Sequence, residues 1–123
     1  MKVERFYTKE GQSAYAELRF EPRSSEIRNP DGSVVFRAEQ VWVPSGWSQV
    51  ATDILAQKYL RKAGVPARLQ RVAEDGVPEW LQRSQPDVAA LGELPQPLRH
   101  GPETDARQVF NRLAGSWTYW GWK

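Results

Sequence analysis

The segment Ser-Gly-Trp-Ser-Gln-Val-Ala-Thr-Asp-Ile-Leu-Ala-Gln-Lys-Tyr-Leu-Arg-Lys-Ala-Gly, residues 45–64, constrains this chain more than any other stretch. Trp47, Val50, Ala51, Ile54, Leu55 and Tyr59 recur at three- and four-residue spacing, so a helix gathers them into one apolar stripe. Ser48, Gln49, Thr52, Asp53 and Gln57 fall largely on the opposite side. Ser45, after Pro44, has the side chain of a helix N-cap, and Gly64 can take the left-handed conformation that ends a helix. Lys58, Arg61 and Lys62 crowd the last turn, where positive charge meets unpaired carbonyls favourably. The pattern predicts one helix over 45–64.

Residues 1–44 read as strands and turns. Tyr15, Glu17 and Arg19 alternate with Ala14, Ala16, Leu18 and Phe20, the period of a half-buried strand. Asn29-Pro30-Asp31-Gly32 has the chemistry of a tight turn: proline presets one position, asparagine bonds back to the chain and glycine tolerates positive φ. It is expected to join a strand near Glu26–Arg28 to one near Ser33–Arg37, with a bulge at Gly32, and Gln40–Val43 to extend the sheet until Pro44 ends it.

Residues 65–103 are punctuated. Pro66 is placed to open a short helix that turns Leu69, Val72 and Ala73 inward and stops at Gly76; Pro78 opens another with Trp80 and Leu81. The proline-rich stretch from Ser84 to Pro102 reads as an extended wrap with one helical turn around Val88–Leu91. A last helix over 104–123 starts with Thr104 as its cap and carries Ala106, Val109, Phe110, Leu113, Ala114 and Trp117 as its stripe. The expected fold class is therefore α+β in a single domain or fragment: a β-hairpin or small antiparallel sheet, a long amphipathic helix, short helices and a C-terminal aromatic helix.

Several function classes lose their basis here. The chain has no cysteine, which removes disulfides, thiolate zinc sites and thiol nucleophiles. A net charge of +2 leaves only a small, dispersed arginine surplus behind the pI of about 9.1, not a surface built for nucleic acid. No apolar run approaches the ~20 residues that span a bilayer, and no secretory signal opens the chain, so the cytoplasm is the expected location. The lone His100 sits in a loop context without a carboxylate pair, and neither phosphate-binding glycine motif occurs. Arg61, Lys62, Arg68 and Arg71 read as a solvated helix end, balanced by Glu74 and Asp75, rather than a phosphate site. The fifteen dispersed carboxylates, Glu74, Glu103 and Asp105 among them, read as solvated surface charge.

What does stand out is the terminal run Trp117-Thr-Tyr-Trp-Gly-Trp-Lys123, four aromatic rings in seven residues. Trp117, Tyr119, Trp120 and Trp122 are the candidate partner-contact residues, with ordinary core packing of the last helix as the alternative. Base stacking is disfavoured, because Arg107 and Arg112 are too few to form a basic groove. Such an apolar end is expected to continue into more protein.

Three separated blocks carry a resemblance. They are Asn29-Pro-Asp-Gly-Ser-Val-Val-Phe36; Val-Trp-Val-Pro (41–44) with the helical segment and Val65-Pro66; and Asp105-Ala-Arg-Gln-Val-Phe-Asn-Arg-Leu-Ala-Gly-Ser-Trp-Thr-Tyr-Trp-Gly-Trp-Lys123. In that order they resemble the N-terminal region of class II, adenosylcobalamin-dependent ribonucleotide reductases of the long bacterial type. The resemblance implies a part of an enzyme that makes deoxyribonucleotides for DNA synthesis. In that family, cleavage of adenosylcobalamin leads to a cysteine thiyl radical that abstracts the ribose 3′ hydrogen, while a cysteine pair and a glutamate assist reduction at the 2′ carbon. All of those residues lie downstream of the region resembled, so the resemblance implies no catalytic, cofactor-binding or metal-binding residue here. It implies a structural cap whose partner is the remainder of the reductase, the catalytic barrel. The ribonucleotide is met only through that part, and neither DNA, RNA nor a membrane is a partner. On this reading the isolated chain binds neither adenosylcobalamin nor nucleotides. The rival, from a different class, is an independent interaction module that grips a partner with its tryptophan cluster.

Overall fold

The computed structural model describes residues 4–122. Its organising unit is the hairpin of β1 (Phe20–Arg28) and β2 (Val34–Pro44), paired antiparallel from Phe20 opposite Pro44 to Arg28 opposite Val34. The turn is built as its residues dictate: Gly32 N–H donates to the Asn29 carbonyl at 2.9 Å, Asp31 accepts from the Ser33 amide at 2.8 Å, and Gly32 sits at φ +89°, where a side chain would be strained. β1 starts well before the expected Glu26–Arg28, while β2 runs on through Gln40–Val43 to Pro44, as its residues predict. Midway, Glu39 and Gln40 stand opposite the single residue Ser24, a bulge that holds Gln40 at φ +53°.

The alternating stretch is not a strand over 14–19; only its last residue, Phe20, opens β1. Residues 13–18 form turns, with Ala16 N–H donating to Ser13 and Leu18 N–H to Tyr15. Alternation alone provides no ladder partner; Tyr15 instead packs edge-on against Phe20 and donates its hydroxyl to Asn111 Oδ1 at 2.8 Å.

The main helix is shorter than its periodicity. It comprises α1 (Gln49–Ile54), continued by a π-helical turn over Leu55–Tyr59 closed by Leu60 N–H on the Leu55 carbonyl at 3.0 Å. Ser48, not Ser45, is the N-cap, its Oγ accepting from Ala51 N–H at 3.1 Å. The Arg23 guanidinium explains the late start: it occupies the Ser45 and Trp47 carbonyls, holding that turn outside the helix. At the other end Leu60 is extended, and Gly64, at φ +80°, lies beyond the helix in the turn toward β3.

The expected helix after Pro66 is absent. Two short strands stand there instead: β3 (Val65–Pro66) and β4 (Leu69–Arg71). The proline-rich wrap returns alongside them as β5 (Ser84–Pro86) and β6 (His100–Gly101), so that β4 pairs with β5 and β3 with β6. Further bonds run from Ala67 N–H to the Arg99 carbonyl and from Val72 N–H to that of Arg83. A helix this short is marginal in water, and the backbone partners brought by the distant wrap outweigh it. A 3₁₀ turn over Glu79–Leu81 follows Pro78, and α2 (Val88–Gly92) is capped by Asp87. The described residues end in α3 (Ala106–Trp122), and Lys123, the last residue of the expected helix, lies outside them. The architecture is α+β. Its core joins Val41 and Val43 of β2, Leu55, Ala56 and Leu60, and Ala106 and Val109 of α3.

Candidate docking surface

Two ties fix α3 against the rest. Asp105, rather than Thr104, caps it: its carboxylate accepts from Arg107 N–H at 2.8 Å, while Gln108 Oε1 reaches back to the Thr104 and Asp105 amides at 2.8 and 3.0 Å. This is the reciprocal arrangement of a capping box. Burial pushes the Asp105 carboxyl up, but hydrogen bonds from the Arg107 side chain and backbone outweigh it and hold the group below its ordinary value. One residue earlier, Trp42 N–H donates to the Thr104 carbonyl at 2.8 Å, laying the chain along β2.

The second tie is Glu103, which is buried, not solvated. Its carboxylate accepts from Arg61 N–H at 2.8 Å and from Arg112 Nε, and its own N–H donates to the Arg61 carbonyl at 2.8 Å. Arg112 also donates to the Tyr59 carbonyl, capping the helix end. No local signal marks Glu103, because its partners lie 42 residues upstream and nine residues downstream. Asp105, by contrast, was legible from the Asp-x-x-Gln spacing.

With α3 fixed, helical geometry divides the aromatic tail. Residues 119 and 122 share one face, and 117 and 120 share another about 200° away. The first pair bonds within the chain, although Trp122 stays about half exposed: the Tyr119 hydroxyl donates to the Glu74 carboxylate at 2.8 Å, and Trp122 Nε1 donates to the Gly76 carbonyl at 2.6 Å. Trp122 also meets Trp80 edge-to-face, ring centres 6.3 Å apart. Trp117 and Trp120 point outward, 64% and 69% exposed.

A second apolar surface lies where sequence reading placed core. The face of α1 that meets β1 is polar: Thr52 is fully buried, its hydroxyl donating to Ser48 O and facing Arg23, and Asp53 accepts from Ser25 Oγ at 2.7 Å. That docking rotates the apolar stripe toward α3. Between the two helices opens a groove of about 300 Å³, walled by Trp47, Ile54, Tyr59, Phe110 and Leu113, with the buried Leu55 and Val109 at its base. Every residue along it is apolar or aromatic. Ile54 and Tyr59 remain about half exposed, and Val50, one turn back from Ile54, more so.

The other candidates come apart. Lys62 lies over the Phe36 ring, Arg71 donates to the Gln82 carbonyl, and Arg68 to that of Ala67, so the basic stretch makes no common anion site. His100 is exposed in β6. Among the described residues no cluster of three metal-ligating side chains occurs, and no helix is long and apolar enough to cross a membrane.

Residues 21–123 match the family described as class II vitamin B12-dependent ribonucleotide reductase, in its N-terminal model. The chain belongs to this family. A vitamin B12-dependent ribonucleotide reductase of Agrobacterium fabrum is 63% identical over all 123 residues, and one of Bradyrhizobium diazoefficiens is 60% identical over the same length. One from Streptomyces clavuligerus is 34% identical over 95 residues, 76% of the chain. The chain spans about a tenth of the length of these relatives. The resemblance read from the three sequence blocks thus holds, and the matched region takes in the hairpin, both walls of the groove and the aromatic helix.

Proposed function

We propose that this chain is the non-catalytic N-terminal structural segment of an adenosylcobalamin-dependent enzyme that reduces ribonucleotides to deoxyribonucleotides. The observation that carries the reading is the match of residues 21–123 to the N-terminal family model, joined by relatives alike along the whole chain. The chemistry of the residues agrees. Without cysteine the chain has no thiol to carry a radical or to supply reducing equivalents.

The cofactor does not fit this segment. The groove between α1 and α3 is lined almost wholly by apolar groups and carries no charged side chain, too little to bond the amides of a corrin or the phosphates of a nucleotide. Adenosylcobalamin and the ribonucleotide belong to the remainder of the polypeptide, and no step of the reaction runs through residues of this chain. Its contribution is packing: the outward Trp117 and Trp120 face the catalytic part, while Tyr119 and Trp122 brace the helix from behind.

Mixing the 123-residue chain with the separately expressed remainder tests this. Ribonucleotide reduction is expected to require the remainder, and calorimetry of the chain alone is expected to show no heat with adenosylcobalamin or nucleotides. Turnover by the chain alone, or micromolar binding of either ligand, defeats the reading.

A further inference from the structure

We infer that the groove between α1 and α3 is a built seat for an apolar segment of the reductase polypeptide that lies outside residues 1–123, with Ile54 and Phe110 as its contact walls. The inference rests on the reading of this chain as the N-terminal segment of a longer reductase, and it names the surface that the longer chain covers.

Three observations converge. First, α1 turns its polar face inward, where Thr52 and Asp53 bond to Ser48, Arg23 and Ser25, and so leaves Val50, Ile54 and Tyr59 facing out. A single exposed Leu or Ile is ordinary on a protein surface; a cleft walled on two helices by aliphatic and aromatic side chains, with no charge among them, is the mark of an interaction site. Second, no ring of the aromatic tail fills it: Tyr119 and Trp122 bond to Glu74 and Gly76 on the other side of α3, and Trp117 and Trp120 stay exposed outside its lining. Third, the relatives carry the other nine-tenths of their length outside the matched region, which supplies the occupant. The absence of charge along the groove sets its chemistry: an aliphatic or aromatic ridge of a helix or strand, not a charged peptide.

Photo-cross-linking in the complete reductase polypeptide tests the assignment. A benzoylphenylalanine placed at position 54, and separately at position 120, is irradiated and the adducts are mapped by mass spectrometry. Position 54 is expected to join residues outside 1–123 of the same polypeptide. In a second measurement, Ile54→Asp in the complete polypeptide is expected to speed proteolytic nicking of the N-terminal segment about tenfold, because a charge in the seat disfavours the docked state. Adducts from position 54 confined to residues 1–123, or formed only with a second copy of the chain, overturn the inference. If position 120 then still labels the remainder, the N-terminal segment reading survives. If neither position reaches the remainder, both fall. An unchanged nicking rate for Ile54→Asp also counts against the seat.

Discussion

Replacing Glu103 with alanine is expected to be the most damaging single polar change in this chain. The carboxylate side chain is 5% exposed and holds together three parts of the fold: the amide of Arg61 after the main helix, the Arg112 side chain on α3, and its own strand-like segment beside β2. Removing one member of a buried pair costs ~3–5 kcal/mol, and a hydrogen bond to a charged group ~1.5–3 kcal/mol. Arg112 is 29% exposed and keeps its bond to the Tyr59 carbonyl, so partial hydration tempers the loss. The expected cost is therefore about 2–3 kcal/mol, or a fall in Tm of roughly 8–12 °C for a domain of this size. Thermal unfolding followed by circular dichroism measures it. Glu103→Gln, which keeps an acceptor for the Arg61 amide, is expected to lose about half as much, and the Glu103→Ala, Arg112→Ala pair to be less damaging than the sum of its singles. A loss in Tm below about 3 °C for Glu103→Ala, or one erased by moderate salt, refutes the reasoning, because a buried pair is screened little.

Asp105→Asn is expected to flatten the acid limb of the stability curve. The folded carboxyl lies below its ordinary value of 3.8, so its stabilisation is complete above that value and disappears as pH falls through the folded one; urea midpoints across acid pH report it. Trp122→Phe removes the bond to the Gly76 carbonyl and the edge contact with Trp80, and is expected to cost ~1–2 kcal/mol in chemical denaturation. Gln40→Gly relieves a left-handed backbone at the β2 bulge and is expected to raise stability by up to ~1 kcal/mol; a destabilised variant shows instead that the Gln40 side chain holds the bulge.

Local chemistry settled the hairpin, whose turn residues impose their own geometry, and the existence of two amphipathic helices, because a stripe at helical spacing can be buried in no other regular element. It also delivered the family, since three motif blocks in order survive without any knowledge of contacts. Which way those stripes face was decided only by the assembled fold. Thr52 and Asp53 satisfy their polar groups against Arg23 and Ser25 of β1, and this turns Ile54 and Tyr59 outward, against the pattern. The strands at 65–71 likewise exist because the wrap from 84 to 101 returns beside them with backbone partners, a pairing no window of sequence can contain. Glu103 joins Arg61 to Arg112 for the same reason. The physical divide is range: turn preference and periodicity act over a few residues, whereas the burial of a polar group and the choice of a strand partner depend on whatever the folded chain brings alongside.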